Sequence, residues 1–118
     1  MRAIRGATCL TQDDHVEMRD AVGELLVEML SRNGLTSDDV VSVLLTATPD
    51  LTSDFPAAAA RTVGFVDIPL ICAQEIDVVG ALPKTVRVMM HVDSTVPRAS
   101  VKHVYLRGAE VLRKDLHS

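Results

Sequence analysis

Residues 12–32 constrain this chain more than any other stretch. Met18, Val22, Leu25, Leu26 and Met29 recur there at helical spacing, with charged residues between them. The pattern predicts one long amphipathic helix with a single apolar stripe. Thr11 and Asp14 resemble a capping box with Asp in place of the usual Glu. Early carboxylates suit the positive end of a helix, and Asn33-Gly34 is a natural stop. Asp13, Asp14, Glu17, Asp20, Glu24 and Glu28 hold much of the chain's acid and read as a solvated face.

The remaining elements are short. Residues 2–10 alternate as a strand, with Ala3, Arg5, Ala7 and Cys9 on one face. The β-branched run 40–48 predicts a buried strand. Pro56 opens an alanine-rich helix that runs to about Val63 and closes at Gly64. Strands are expected at 68–73, 84–93 and 101–106, with 74–83 a loop broken by Gly80 and Pro83. The order gives an α+β domain over residues 1–118, a mixed β-sheet with one long and one short helix on one face. One long helix cannot cover both faces of about five strands, so the other face is expected to be buried by self-association.

Bulk properties narrow the class. The 118 residues fit one core, and 47% hydrophobic content with a net charge of -4 does not describe a disordered chain. No apolar run reaches the roughly 20 residues of a membrane span, and the N-terminus does not read as a signal peptide, so the cytoplasm is the expected compartment. Without a basic stripe or clustered aromatics, a nucleic-acid partner is not expected. The two cysteines, Cys9 and Cys72, read as free thiols, and the four histidines are scattered, so no metal site is expected.

Polar residues on apolar strands are the candidates for chemistry. Arg87 sits between Val86 and Val88; it makes an ion pair, lies on an exposed face, or looks into a cavity. Glu75 follows a strand and is a solvated loop carboxylate or a binding group. Tyr105 alternates with core residues and its hydroxyl needs a partner. Arg61, on the short helix, faces solvent or a ligand, and Cys72 is a small buried hydrophobe or a nucleophile. Together these residues describe a cationic site suited to a dianion, since Arg binds carboxylates bidentately.

The ordered set IRGAT, LLTATPDL with DFPA, CAQEIDV, RVMMHV with a following VP, HVYL and VLRKDL resembles the monofunctional chorismate mutases of the trimeric pseudo-α/β-barrel, or AroH, class. The resemblance runs from Arg2 to Leu116. It implies a homotrimer whose packed sheets form the barrel, with active sites between neighbouring subunits. It further implies an isomerase that rearranges chorismate to prephenate without a cofactor, on the route to phenylalanine and tyrosine. Arg87 is then the cation at the ether oxygen. Arg5 and Tyr105 hold carboxylate, and Glu75 accepts from the ring hydroxyl near Cys72. Phe55 and Leu112 supply apolar walls. Ala57, Arg61, Leu70 and Ile71 line the cleft, and Arg113 lies in a closing C-terminal segment.

Two departures stand out: Ala58 occupies a helix position where members can carry lysine, and the sequence ends soon after Leu116, where a longer closing tail is expected. Both bear on substrate capture. Three other readings stay open at this level: a non-catalytic trimeric binding module, an enzyme for isochorismate or an amino analogue, and a thiol enzyme using Cys72.

Overall fold

In the computed structural model, which describes residues 1–116 and side chains as far as Leu112, helix α1 spans His15–Ser31. Met18, Val22, Leu25, Leu26 and Met29 are each 0% exposed. Burying side chains of this size contributes about 1.5–3 kcal/mol apiece. The helix starts later than residue 12 because its N-cap is Asp14, not Thr11. Asp14 Oδ2 accepts from Glu17 N at 2.9 Å, and the Glu17 carboxylate accepts from Thr11 N and Gln12 N at 2.8 and 2.9 Å. Residues 11–13 therefore form a bend, and the helix's own Glu17 takes the Thr11 and Gln12 amides.

At the other end, Gly34 takes a φ of 65°, the left-handed turn that favours glycine. The Asn33 amide does more than stop the helix. Its Nδ2 donates to Met29 O at 2.7 Å and to Lys102 O at 2.9 Å, while Oδ1 accepts from Lys102 N at 2.9 Å.

Five strands form one sheet: β1 Arg2–Cys9, β2 Val40–Ala47, β3 Leu70–Gln74, β4 Thr85–Val92 and β5 Val104–Leu106. Their order is β3-β2-β4-β1-β5. The central strand β4 is antiparallel to both β1 and β2, whereas β2–β3 and β1–β5 are parallel, so the sheet is mixed as expected. Helix α2, Pro56–Thr62, packs with α1 over one face, where Ile4, Val43, Leu45, Val86, Val88, Met90 and Val92 complete the core. Gly6 lies directly beneath α1. A Cβ there would stand 2.5 Å from Met29 Sδ and 3.1 Å from Leu25 Cδ1.

Strand β2 is not buried throughout. Val43 and Leu45 are, but Val41 and Leu44 are 40% and 39% exposed, because one chain leaves the far face of the sheet bare. β5 starts at Val104 and not at 101: residues 98–100 form a 3₁₀ turn and Asn33 takes both backbone groups of Lys102. After β5 the chain enters a 3₁₀ segment, Ala109–Leu116. Among the described residues no helix is long and apolar enough to cross a membrane.

Candidate active site

Register builds the site. Arg87 on β4 stands opposite Thr46 on β2 and Ala7 on β1, and Ala7 in turn stands opposite Tyr105 on β5. Partners directly across a ladder share a face, so these side chains form a row on the bare side of the sheet. The small residue in that row, Ala7, leaves a gap between Arg87 and Tyr105. Two residues along β1, Arg5 faces the same side, opposite Met89. With Leu44 and Leu112 these residues line a cleft of about 280 Å³.

Glu75 enters from the end of β3. Its backbone N–H donates to Ala47 O at 3.0 Å, prolonging the β2–β3 pairing by one step. Its carboxylate accepts from Thr46 Oγ1 at 2.7 Å and pairs with Arg87 Nε at 3.2 Å. The Glu75 side chain is 17% exposed and that of Arg87 48%. A half-exposed pair of this kind contributes roughly 0–1 kcal/mol, so its consequence is geometric more than energetic. The contact uses Nε and leaves the two terminal amino groups of the guanidinium as further donors. Arg5, Arg87 and Glu75 together carry a formal excess of one positive charge, on a face that otherwise presents Leu44, Met89 and Leu112.

A second cleft, of about 420 Å³, opens beside the loop before α2. Phe55, Thr52, Asp54, Cys72 and Gln74 are among its walls, and no cation is among its lining residues. Phe55 is 73% exposed, yet three carboxylates hold its loop. Asp13 accepts from Thr52 N, Thr52 Oγ1 and Ser53 N at 2.8 to 3.1 Å. Asp54 pairs with Arg19 of α1 at 3.1 Å, and Asp50 accepts from Lys84 N at 3.0 Å. The phenyl ring is thus presented to solvent by a braced loop.

Of the residues singled out in the sequence, Arg5, Arg87, Tyr105 and Leu112 share the first cleft, and Glu75 joins it through Arg87. Phe55 and Cys72 belong to the second. Ala57, Arg61, Leu70 and Ile71 line neither. Ala57 is 9% exposed within the core, and Arg61 is exposed on α2. Leu70 and Ile71 are successive in β3 and point to opposite faces: Leu70 packs on the core and Ile71 is 64% exposed. The Arg113 side chain lies outside the described residues. Thr46 was not singled out. Its signal was a hydroxyl in phase with Leu44 on β2, opposite in phase to buried Val43 and Leu45.

The chain is similar to known proteins over its whole length. The family model "Chorismate mutase type I" matches residues 1–116. Chorismate mutase AroH of Bacillus subtilis (strain 168) is 44% identical over 117 residues, covering 98% of this chain and 92% of that protein. Chorismate mutase AroH of Thermus thermophilus is 44% identical over 119 residues, covering 100% and 98%. The solved structure of a chorismate mutase from Clostridium thermocellum superposes with a TM-score of 0.92 at 46% identity, over 94% of this chain and 99% of that one. With the cationic cleft on the sheet face, these matches make the assignment plain: the chain belongs to the type I chorismate mutase family.

Proposed function

We propose that this chorismate mutase rearranges chorismate to prephenate in the sheet-face cleft, with Arg87 at the breaking ether oxygen. The observation that carries the assignment of roles is the Arg87–Glu75 pair, 3.2 Å apart, in the same cleft as Arg5. In this concerted Claisen rearrangement one C–O bond breaks as one C–C bond forms, and no proton moves. The enzyme therefore works by holding and by charge. Arg5 and Tyr105 bind carboxylate and hold the enolpyruvyl arm over the ring; ordering of that kind supplies as much as about 7–11 kcal/mol in favourable cases. Glu75, oriented by Thr46, accepts from the ring hydroxyl. Negative charge grows on the ether oxygen in the transition state, so the Arg87 fork stabilises that state more than the bound substrate.

The enzyme is a homotrimer in this reading, with each site closed by a neighbour. Its supports are the bare sheet face and the division of the expected site residues between two clefts of one chain. A subunit's braced Phe55 loop then walls the arginine cleft of the next.

The test needs only purified protein and chorismate, with no added metal or cofactor. Loss of the diene absorbance is followed, and acid then converts prephenate to phenylpyruvate for detection. Prephenate formation by wild type and its loss in Arg87→Ala are expected. Folded wild type that leaves chorismate untouched removes the proposal.

A further inference from the structure

Arg5 is held at its backbone by the side chain of His103, the first residue of HVYL, to which the sequence reading gave no role. The β1–β5 ladder begins at Gly6 opposite Val104, so Arg5 lies one step beyond the last backbone pair. Its N–H does not go unpaired. It donates to His103 Nδ1 at 2.9 Å. The imidazole thus takes the place of a missing ladder carbonyl, and an accepting Nδ1 requires the neutral ring with its proton on Nε2. Partial burial, and next the Arg5 guanidinium, lower the imidazole's pKa and keep it in that neutral form.

The segment that presents His103 is itself fixed. Asn33 at the end of α1 makes two reciprocal bonds with the backbone of Lys102, each 2.9 Å. Val104, on the other side of His103, starts the pairing of β5 with β1. Two residues beyond His103, Tyr105 lines the cleft with Arg5. One side chain therefore joins the two strands that bring the carboxylate-binding groups together. From this we propose that His103 is a positioning residue for the mutase reaction: its Nδ1 sets the register at which Arg5 and Tyr105 face a carboxylate. The inference rests on the assignment of Arg5 to substrate binding made above.

The shapes of the side chains provide the test. Asn Oδ1 sits where His Nδ1 sits, whereas Gln reaches further and Leu accepts nothing. In steady-state assays with chorismate, His103→Leu and His103→Gln are expected to lose about tenfold or more in kcat/KM, mostly through KM, because a misplaced clamp weakens holding before it weakens charge stabilisation. His103→Asn is expected to recover most of that loss. Arg5→Ala is run beside them, with thermal unfolding as a fold check. Equal losses in His103→Asn and His103→Leu, or a fall confined to kcat, overturn the acceptor role in favour of plain packing. Wild-type kinetics in His103→Leu with Arg5→Ala impaired overturns the inference and leaves the site intact. Wild-type kinetics in Arg5→Ala instead removes the binding role on which it rests.

Discussion

Arg87 shows how much a single side chain owes to its neighbours. On β4 it is flanked by Thr46 and Ala7, a hydroxyl and a methyl, and neither fills the space its guanidinium needs. Glu75 fixes one edge of that guanidinium through Nε, and Thr46 fixes Glu75. Arg87→Ala is expected to cost about 3–4 kcal/mol of transition-state stabilisation, several hundredfold in kcat/KM, by analogy with removal of an oxyanion donor. Arg87→Lys is expected to recover little, since an ammonium cannot keep Glu75 and still present a fork to ether oxygen and carboxylate together. Near-normal turnover in the lysine variant would mean that a point charge suffices and that the fork geometry is incidental. At this scale the sequence displayed Arg5, Arg87 and Tyr105 as polar groups within strands and Glu75 as a carboxylate just past one, and such patterns are visible in one dimension. Thr46 and His103 carried no such signal as candidates. What marks them is a partner 29 residues away for Thr46 and 98 for His103.

Elements were legible where their signal was local. The α1 stripe, the Pro56 start of α2, the Gly34 stop and the alternation in β4 all came from periodicity and backbone preference. What periodicity missed was decided by tertiary bonds. β5 shrank because Asn33 captured Lys102, and the α1 cap shifted because Glu17 bonds backward to Thr11 and Gln12. Asp13, read in the sequence as part of a solvated acidic face, is exposed and also clamps the loop that carries Phe55. The Thr52 hydroxyl bond is the largest influence; with the further bonds from Ser53 and Thr52 it outweighs the opposing effect of burial and lowers the Asp13 pKa to about 2. A carboxylate with a depressed folded pKa contributes stability above its ordinary pKa near 3.8, and that contribution is lost as pH falls through about 2. Asp13→Ala is therefore expected to unfold at lower urea than wild type at pH 7, with the gap narrowing as pH drops from about 4 to about 2. A gap that stays constant across that range would assign the effect to something other than the ionised clamp.

The whole molecule poses a question that one chain does not answer by itself. Its helices cover one sheet face, and the other presents Leu44 and Ile71 beside the arginine cleft. Phe55 stands outside on a loop with three carboxylate braces, which is a costly way to expose an aromatic ring unless something covers it. The closed ring of three copies proposed above would account for both features, since a head-to-tail contact brings one surface of each chain onto a different surface of the next. Complementation between inactive variants tests this directly. Arg87→Ala removes the sheet-face cation, and Phe55→Asp places a charge at the wall that the neighbour is proposed to supply. Phe55 is 73% exposed in the single chain, so its substitution should spare the fold. Each variant alone should be nearly inactive. After equal mixing and subunit exchange, a site built from an intact Arg87 on one chain and an intact Phe55 on the next should arise by chance in about one quarter of cases, restoring activity in that proportion. Exchange verified by native mass spectrometry with no recovery would mean that Phe55 and Arg87 serve the same chain, and that the bare sheet face is covered in some other way.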